Sequence, residues 1–277
     1  MPPTGIAAGI FSALSFGAGD FAGAFAARRA GALVVVAGAH VVGHIALLVG
    51  VLILRPPIPD LGPALIGVAA GVAGAVGLAA LYRGMSLGSM GIVTSLSGVG
   101  SLTVPLVAGA LLGATVTPIQ LAGVGCVAIA AAAASGASRD ELGRQALVLA
   151  AAAAIGFGTW YVLLDLAARG GDSLWALTFS RATSAMLTAA LAFRRLDRSR
   201  IPFLAVIAAG LFDVGGNALY VVAREAIPIG LAAALTGLYP IVTMILARVI
   251  LGERLTPLGR LGVAFALLGI VLISVGG

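Results

Sequence analysis

The sequence has no lysine, a single cysteine and very few charged side chains. Charged residues make up 9% of its 277 residues, whereas 61% of the residues are apolar. A soluble domain of this length needs a polar surface, and this composition cannot supply one. We therefore expect an integral membrane protein that contacts the lipid bilayer over most of its surface. The single cysteine, Cys126, excludes a disulfide within the chain, and its apolar neighbours predict a packing role.

The positive charge of the chain does not indicate a nucleic-acid partner. All sixteen basic residues are arginines, and the formal net charge is +6. Most of these arginines lie in short breaks between apolar runs rather than in one basic stripe, a pattern that is typical of membrane topology. A GxxxxGK[ST] phosphate-binding loop is also absent from the sequence, which argues against transport driven by ATP.

Long apolar runs predict ten membrane-spanning helices. A helix needs about 20 apolar residues to cross the hydrocarbon, and runs of that length are separated by short breaks such as RPPIPD at 55–60 and RRLDRSR at 194–200. The fold class is therefore expected to be all-α integral membrane. The predicted spans are 5–27, 32–54, 62–83, 89–113, 117–135, 145–167, 173–193, 202–223, 229–251 and 257–275.

The two halves of the chain repeat. A shift of 139 residues aligns 112–118 with 251–257, and both segments have the pattern Leu-Gly-x-x-x-Thr-Pro. The same shift aligns Gly17 with Gly156, Gly19 with Gly158, Gly91 with Gly230 and Gly98 with Gly237. We predict two five-helix repeats, 1–137 and 138–277, which insert in opposite orientations because five is odd. Inverted repeats are typical of secondary transporters with a substrate site near the bilayer midplane.

The end of the chain resembles a known family. LTGLYPIVTMILARVILGERLTPLGRLGVAFALLGIVLI at 235–273 resembles the terminal signature of the EamA domain in the drug/metabolite transporter superfamily, and SLGSMGIVTSL at 86–96 agrees with it. The resemblance implies a ten-helix exporter of small metabolites, often amino acids or their relatives, in the cell (inner) membrane. It does not imply a particular substrate. A drug or nucleotide-sugar type of carrier is the alternative within the superfamily.

Ionisable residues near the centres of the predicted spans are candidates for function, because charge is costly there. Arg181 and Asp213 lie equally far from the 194–200 break, so helices 7 and 8 are expected to pair them. Asn217, one turn from Asp213, is expected to complete the hydrogen bonds. Two interpretations remain open. The pair is a neutralised structural contact, or Arg181 holds a substrate carboxylate while Asp213 holds its amine or a coupling proton.

Two histidines and one further aspartate form a second group of candidates. His40 and His44 are spaced i, i+4, and Asp20 is expected at the depth of His40 on the neighbouring helix. The alternatives for the histidines are a metal site, a polar helix contact and proton handling. Because Asp20 is the only nearby third ligand, we predict neither a metal nor a cofactor. Asp20 is a candidate proton carrier, or it caps a polar cluster around Ser12 and Ser15.

The remaining candidates are aromatic and hydroxyl side chains. Four rings are expected to face a central cavity: Trp160, Tyr161, Tyr220 and Tyr239. Ser97 and Ser101 either line a pathway or bond to their own helix backbone. The Tyr239-Pro240 pair predicts a kink. Glu253, in the turn before the last span, is expected to accept bonds from the first N–H groups of that span and to pair with Arg254 or Arg260.

The leading hypothesis is a secondary transporter that exports small amphipathic metabolites by alternating access. Proton coupling and facilitated diffusion both remain open, as does a monomer or a homodimer. The expected partners are the bilayer, a small solute and protons. An intramembrane enzyme and an assembly scaffold are the alternatives from other classes. The side that both termini face also remains open, because the arginine distribution and the family resemblance disagree.

Overall fold

The protein is a bundle of helices in the computed structural model, which describes residues 2–137 except 112 and 114, residues 141–193 and residues 201–276. No strand occurs within these ranges. The predicted RRLDRSR break at 194–200 lies outside the described residues, as do Leu112 and Ala114. In chain order the helices are α1 (Pro3–Ala30), α2 (Ala32–Leu54), α3 (Leu61–Leu87), α4 (Met90–Leu111), α5 (Pro118–Ala137), α6 (Glu141–Arg169), α7 (Ser173–Ala192), α8 (Phe203–Ala226), α9 (Ile229–Gly237), α10 (Tyr239–Leu251) and α11 (Pro257–Val275).

These helices match the predicted spans, with α9 and α10 together forming the ninth. Nine stretches of the described residues are long and apolar enough to cross a membrane, and residues 231–251 count as one of them. The helix outside this set is α7, whose hydropathy is lowered by Arg181 and several hydroxyl residues. The chain is therefore an all-helical, multi-pass membrane protein, as predicted. The inverted relation between its halves stays a prediction.

The two ends of the bundle are distinguished by which helices begin and finish there. Helices α1, α3, α5, α7 and α10 finish at one end, which we call the arginine end because Arg28, Arg29 and Arg254 lie there. The opposite end holds the start of α1 and the end of α11, and we call it the terminal end. There the Thr117 hydroxyl donates to the carbonyl of Gly276 at 2.8 Å, which ties the start of α5 to the end of α11.

The largest hydrophobic core lies at the arginine end. Seven helices contribute to it, each with the part nearest to that end: α1, α2, α3, α4, α6, α8 and α10. Its buried residues include Phe21, Val35, Leu81, Tyr82, Met85, Met90, Ala150, Val206 and Ala247. Tyr82, Met85 and Met90 are at most 1% exposed, so no passage for a solute runs past them. In the described part of the chain the bundle is therefore sealed at the arginine end.

Glu253 ties two turns together at the sealed end. Its carboxylate accepts bonds from the Ser89 hydroxyl, from the backbone N–H of Met90 at 3.1 Å and from that of Gly91 at 3.4 Å. The expectation that Glu253 would serve the N-terminus of the last helix is therefore wrong, because the carboxylate caps α4. That last helix, α11, is capped by the Thr256 hydroxyl, which accepts from the N–H of Gly259 at 3.1 Å.

The ninth span is interrupted in its middle. Helix α9 ends at Gly237, Leu238 leaves helical geometry with φ −78° and ψ 3°, and α10 begins at Tyr239. Pro240 explains the break, because it has no N–H to donate to the carbonyl of Thr236 four residues earlier. The predicted kink is confirmed as a break one residue before Tyr239, whereas α4 continues as a helix through Pro105.

The cap by Glu253 predicts a loss of stability on substitution. Glu253→Ala leaves one hydroxyl and two N–H groups without their acceptor, so we expect the free energy of unfolding to fall by about 1–3 kcal/mol. Unfolding in detergent micelles measures this change. Glu225→Ala, at an exposed position near the end of α8, is the matched control and should have little effect. Equal losses in the two variants would contradict the capping role.

Candidate functional site

The structure brings together Arg181 and Asp213 from adjacent helices. Nη2 of Arg181 lies 2.5 Å from Oδ2 of Asp213, and the two side chains are 8% and 21% exposed. The carboxylate compensates the charge of a guanidinium that would otherwise be isolated at mid-membrane depth. Asn217 does not complete this pair as expected, because its amide donates to the backbone carbonyl of Asp213 at 2.8 Å.

His40 is the second partner of Arg181. Its Nε2 lies 2.7 Å from Nη1 of Arg181, and its Nδ1 contacts the hydroxyl of Ser184. A guanidinium can only donate, so Nε2 accepts and Nδ1 carries the proton that is donated to Ser184. In this arrangement the imidazole is neutral. Asp20 was expected at the depth of His40, but the hydrogen-bond partners of His40 lie on α7 and not on α1.

Small residues and Trp160 set the position of Arg181. Gly71 of α3 faces the backbone of α7, where a Cβ on Gly71 would lie 2.5 Å from the carbonyl oxygen of Ser180. Only glycine permits this close approach. From α6, Trp160 Nε1 donates to the Ser180 hydroxyl at 2.9 Å, and its ring lies 5.8 Å from the guanidinium carbon of Arg181. Helices α3 and α6 thus hold α7 beside the ion pair.

A cavity of about 280 Å³ lies beside the ion pair. At its inner limit is Leu78, which also belongs to the sealed core. Its wall continues along the halves of α4, α6 and α8 nearest the terminal end, through Pro105, Tyr161 and Tyr220. Tyr161 is 42% exposed, so the wall is not fully enclosed at this position. The cavity therefore extends from mid-membrane depth towards the terminal end.

Nine of the twelve predicted site residues line this cavity. They are Asp20, Ser101, Trp160, Tyr161, Arg181, Asp213, Asn217, Tyr220 and Tyr239. The hydroxyl of Ser101 donates to the carbonyl of Gly98 at 2.8 Å, so Ser101 is bonded to its own helix backbone while its residue lines the cavity.

Three predicted residues do not line the cavity. His40 lies behind Arg181, and Ser97 donates to the carbonyl of Thr94 at 3.1 Å within its own helix. The buried Nδ1 of His44 has no hydrogen-bond partner in the described part of the chain. The metal alternative for the histidines finds no support there either, since the described residues contain no cluster of three His, Cys, Asp or Glu side chains.

Asp20 projects into the cavity from α1. Two serines fasten this helix to α8, since Ser12 donates to the carbonyl of Gly216 at 2.8 Å and Ser15 to that of Phe212 at 2.7 Å. Asp20 therefore does not cap these serines. Within the described ranges its carboxylate has neither a hydrogen bond nor an ion pair.

Phe16, Phe157 and Thr236 are among the residues of the cavity wall that sequence reasoning missed. Phe16 packs edge-on against Tyr239, with ring centroids 6.3 Å apart. Nothing in the sequence around these two phenylalanines distinguishes them from a phenylalanine that faces lipid. Thr236 could have been found, because it lies four residues before Pro240 and its carbonyl loses a helical donor there.

Comparisons with known proteins agree with this geometry. Residues 144–275 match the model of the EamA-like transporter family. Twenty-one chains of solved structures match. One of them, a crystal structure of a protein, has a TM-score of 0.64 at 15% identity over 98% of this chain and 96% of its own, which shows a shared fold. No curated protein matches the chain. The resemblance noted in the sequence is thus confirmed over the second half.

The ion pair predicts strong coupling between its members. Asp213→Ala leaves Arg181 buried without its counter-ion, and we expect a stability loss of about 3–5 kcal/mol. Arg181→Ala in the same chain should restore part of that loss, giving a coupling energy of about 2 kcal/mol in a double-mutant cycle measured by unfolding in detergent.

The control cycle uses Asp165 and Arg169, an exposed pair on α6 whose side chains are 55% and 75% exposed. Its coupling should be about 0.5 kcal/mol or less, because water screens both charges. Additive losses at Arg181 and Asp213 would show that the two side chains do not act as a pair.

Proposed function

We propose that this chain, whose residues 144–275 match the EamA-like transporter family, is a secondary transporter that moves small amphipathic solutes across the cell membrane. The observation that carries the proposal is the polar cavity at mid-membrane depth, which is closed at one end of the bundle and extends towards the other. A membrane protein that only supports an assembly has no need of charged groups around such a cavity.

Alternating access is the mechanism that this geometry supports best. With the arginine end sealed, a solute can enter or leave the cavity only through the terminal end. Transport then requires a second state in which the core at the arginine end separates and the Glu253 contact with α4 opens. Two inverted five-helix repeats, as proposed from the sequence, would supply that state by exchanging the conformations of the halves.

An intramembrane enzyme is less well supported. Among the described serines, Ser184 contacts a histidine, but His40 donates a proton to it and so cannot act as its base. Ser97 and Ser101 are bonded to their own helix. A phosphate-bearing solute, such as a nucleotide sugar, also fits poorly, because the cationic side chain that lines the cavity is already paired with Asp213.

The test is solute counterflow in liposomes. Ala233 of α9 lines the cavity, and Ala233→Trp should reduce the counterflow rate of amino acids and related amphipathic solutes by about tenfold or more, because an indole fills much of about 280 Å³. Ala131→Trp, at an exposed position on α5, is the control and should transport normally. Chemical conversion of the solute without flux would refute transport.

Proton coupling through Asp20 is a separate proposal. If the carboxylate carries the coupled proton, an imposed pH gradient should drive solute accumulation by the unaltered protein and not by Asp20→Asn, which cannot bind a proton there. Asp60→Asn, at an exposed position before α3, should retain the driven flux. Equal accumulation by Asp20→Asn and the unaltered protein would exclude Asp20 as the carrier and leave facilitated diffusion.

A further inference from the structure

We propose that the cavity selects a small organic cation, an ammonium group on an aromatic or apolar body, and that Asp20 recognises its charge. This inference rests on the proposed function, because it names the solute class of the same cavity. It differs from the sequence-based expectation of amino acids, which carry a carboxylate as well as an ammonium group.

The first argument is the balance of charge around the cavity. Three acidic or basic side chains of the described residues line it: Asp20, Arg181 and Asp213. The charge of Arg181 is compensated by Asp213 at 2.5 Å, and of its nitrogens only Nε lacks a hydrogen-bond partner in the described part of the chain. Its second partner, His40, is neutral and adds no charge. The carboxylate of Asp20 is left without a cation among the described residues. A cationic solute would therefore compensate it, whereas a solute carboxylate would face an uncompensated aspartate.

The second argument is the end of α9. This half-helix finishes at Gly237 on the cavity wall, and the partial negative charge at its C-terminus attracts cations. Thr236 adds a buried hydroxyl that has no hydrogen-bond partner in the described part of the chain. The partial positive charge at the opposing N-terminus of α10 is weaker, because Pro240 has no N–H and the N–H of Ile241 donates to the carbonyl of Leu238.

The third argument is the aromatic wall. Six rings surround the cavity, and an ammonium group is attracted to the faces of such rings. They belong to Phe16, Phe157, Trp160, Tyr161, Tyr220 and Tyr239. Trp160 already shows this interaction with the guanidinium of Arg181. A volume of about 280 Å³ accommodates a solute of one aromatic ring and a short amine.

The chain has a built-in probe for the test. Its two tryptophans are Trp160, on the cavity wall, and Trp175, whose indole donates to the carbonyl of Pro56 at the terminal end. In a Trp175→Phe background the intrinsic fluorescence therefore reports Trp160 alone. Three solutes share a phenyl ring and differ in charge: phenyltrimethylammonium, phenylalanine and 3-phenylpropionate. Each is titrated against the purified full chain.

We expect phenyltrimethylammonium to bind about tenfold or more tightly than either of the others. Asp20→Asn should abolish this preference, and Asp20→Glu should retain it because the charge remains. Asp60→Asn, the exposed carboxylate, should bind like the parent protein. The comparison among the three solutes needs only the parent protein, so it decides the proposal even if Asp20→Asn fails to fold.

The proposal is overturned if phenylalanine or 3-phenylpropionate binds as tightly as the cation, if the cation does not bind, or if Asp20→Asn keeps the preference. Counterflow separates this result from the proposed function. Flux of phenylalanine that is as fast as flux of phenyltrimethylammonium and that Ala233→Trp blocks would support transport and refute the cation preference. Selective binding of the cation without flux of any solute would support the preference and refute transport.

Discussion

The placement of one guanidinium inside the bilayer constrains the rest of the bundle. An arginine at this depth is tolerated only if other groups compensate its charge. Arg181 of α7 therefore requires Asp213 from α8 and the neutral ring of His40 from α2 at the same depth. Around this contact, α3 approaches through Gly71 and α6 through Trp160. The polar contact thus determines which helices surround the cavity.

The two ends of the bundle are built from different interactions. At the arginine end buried apolar side chains form the largest core, and the carboxylate of Glu253 joins the turn after α10 to the start of α4. Towards the terminal end the cavity wall is aromatic and partly exposed, as Tyr161 illustrates. The apolar core therefore lies on one side of the ion pair and the cavity on the other.

Hydropathy predicted the helices well, because exposing polar backbone groups to lipid is costly and a long apolar segment must therefore form a helix. The predicted bounds of α2 and α11 agree with the structure to the residue. Counting residues from a shared turn also placed Arg181 beside Asp213, since consecutive helices are antiparallel. Sequence reasoning did not find the partners of His40 and Glu253, which lie far away in sequence. Contacts between distant helices depend on packing that a single sequence does not reveal.

One helix contacts both the cavity and the sealed end. Tyr239 lines the cavity at the start of α10, and Glu253 follows its other end, where Gly252 turns the chain with φ 69°. The break at Leu238 separates this helix of 13 residues from α9. The carboxylate of Glu253 in turn accepts from the N–H groups of Met90 and Gly91 at the start of α4. Helix α10 and the turn that follows it thus join the cavity wall directly to the capping contact at the arginine end.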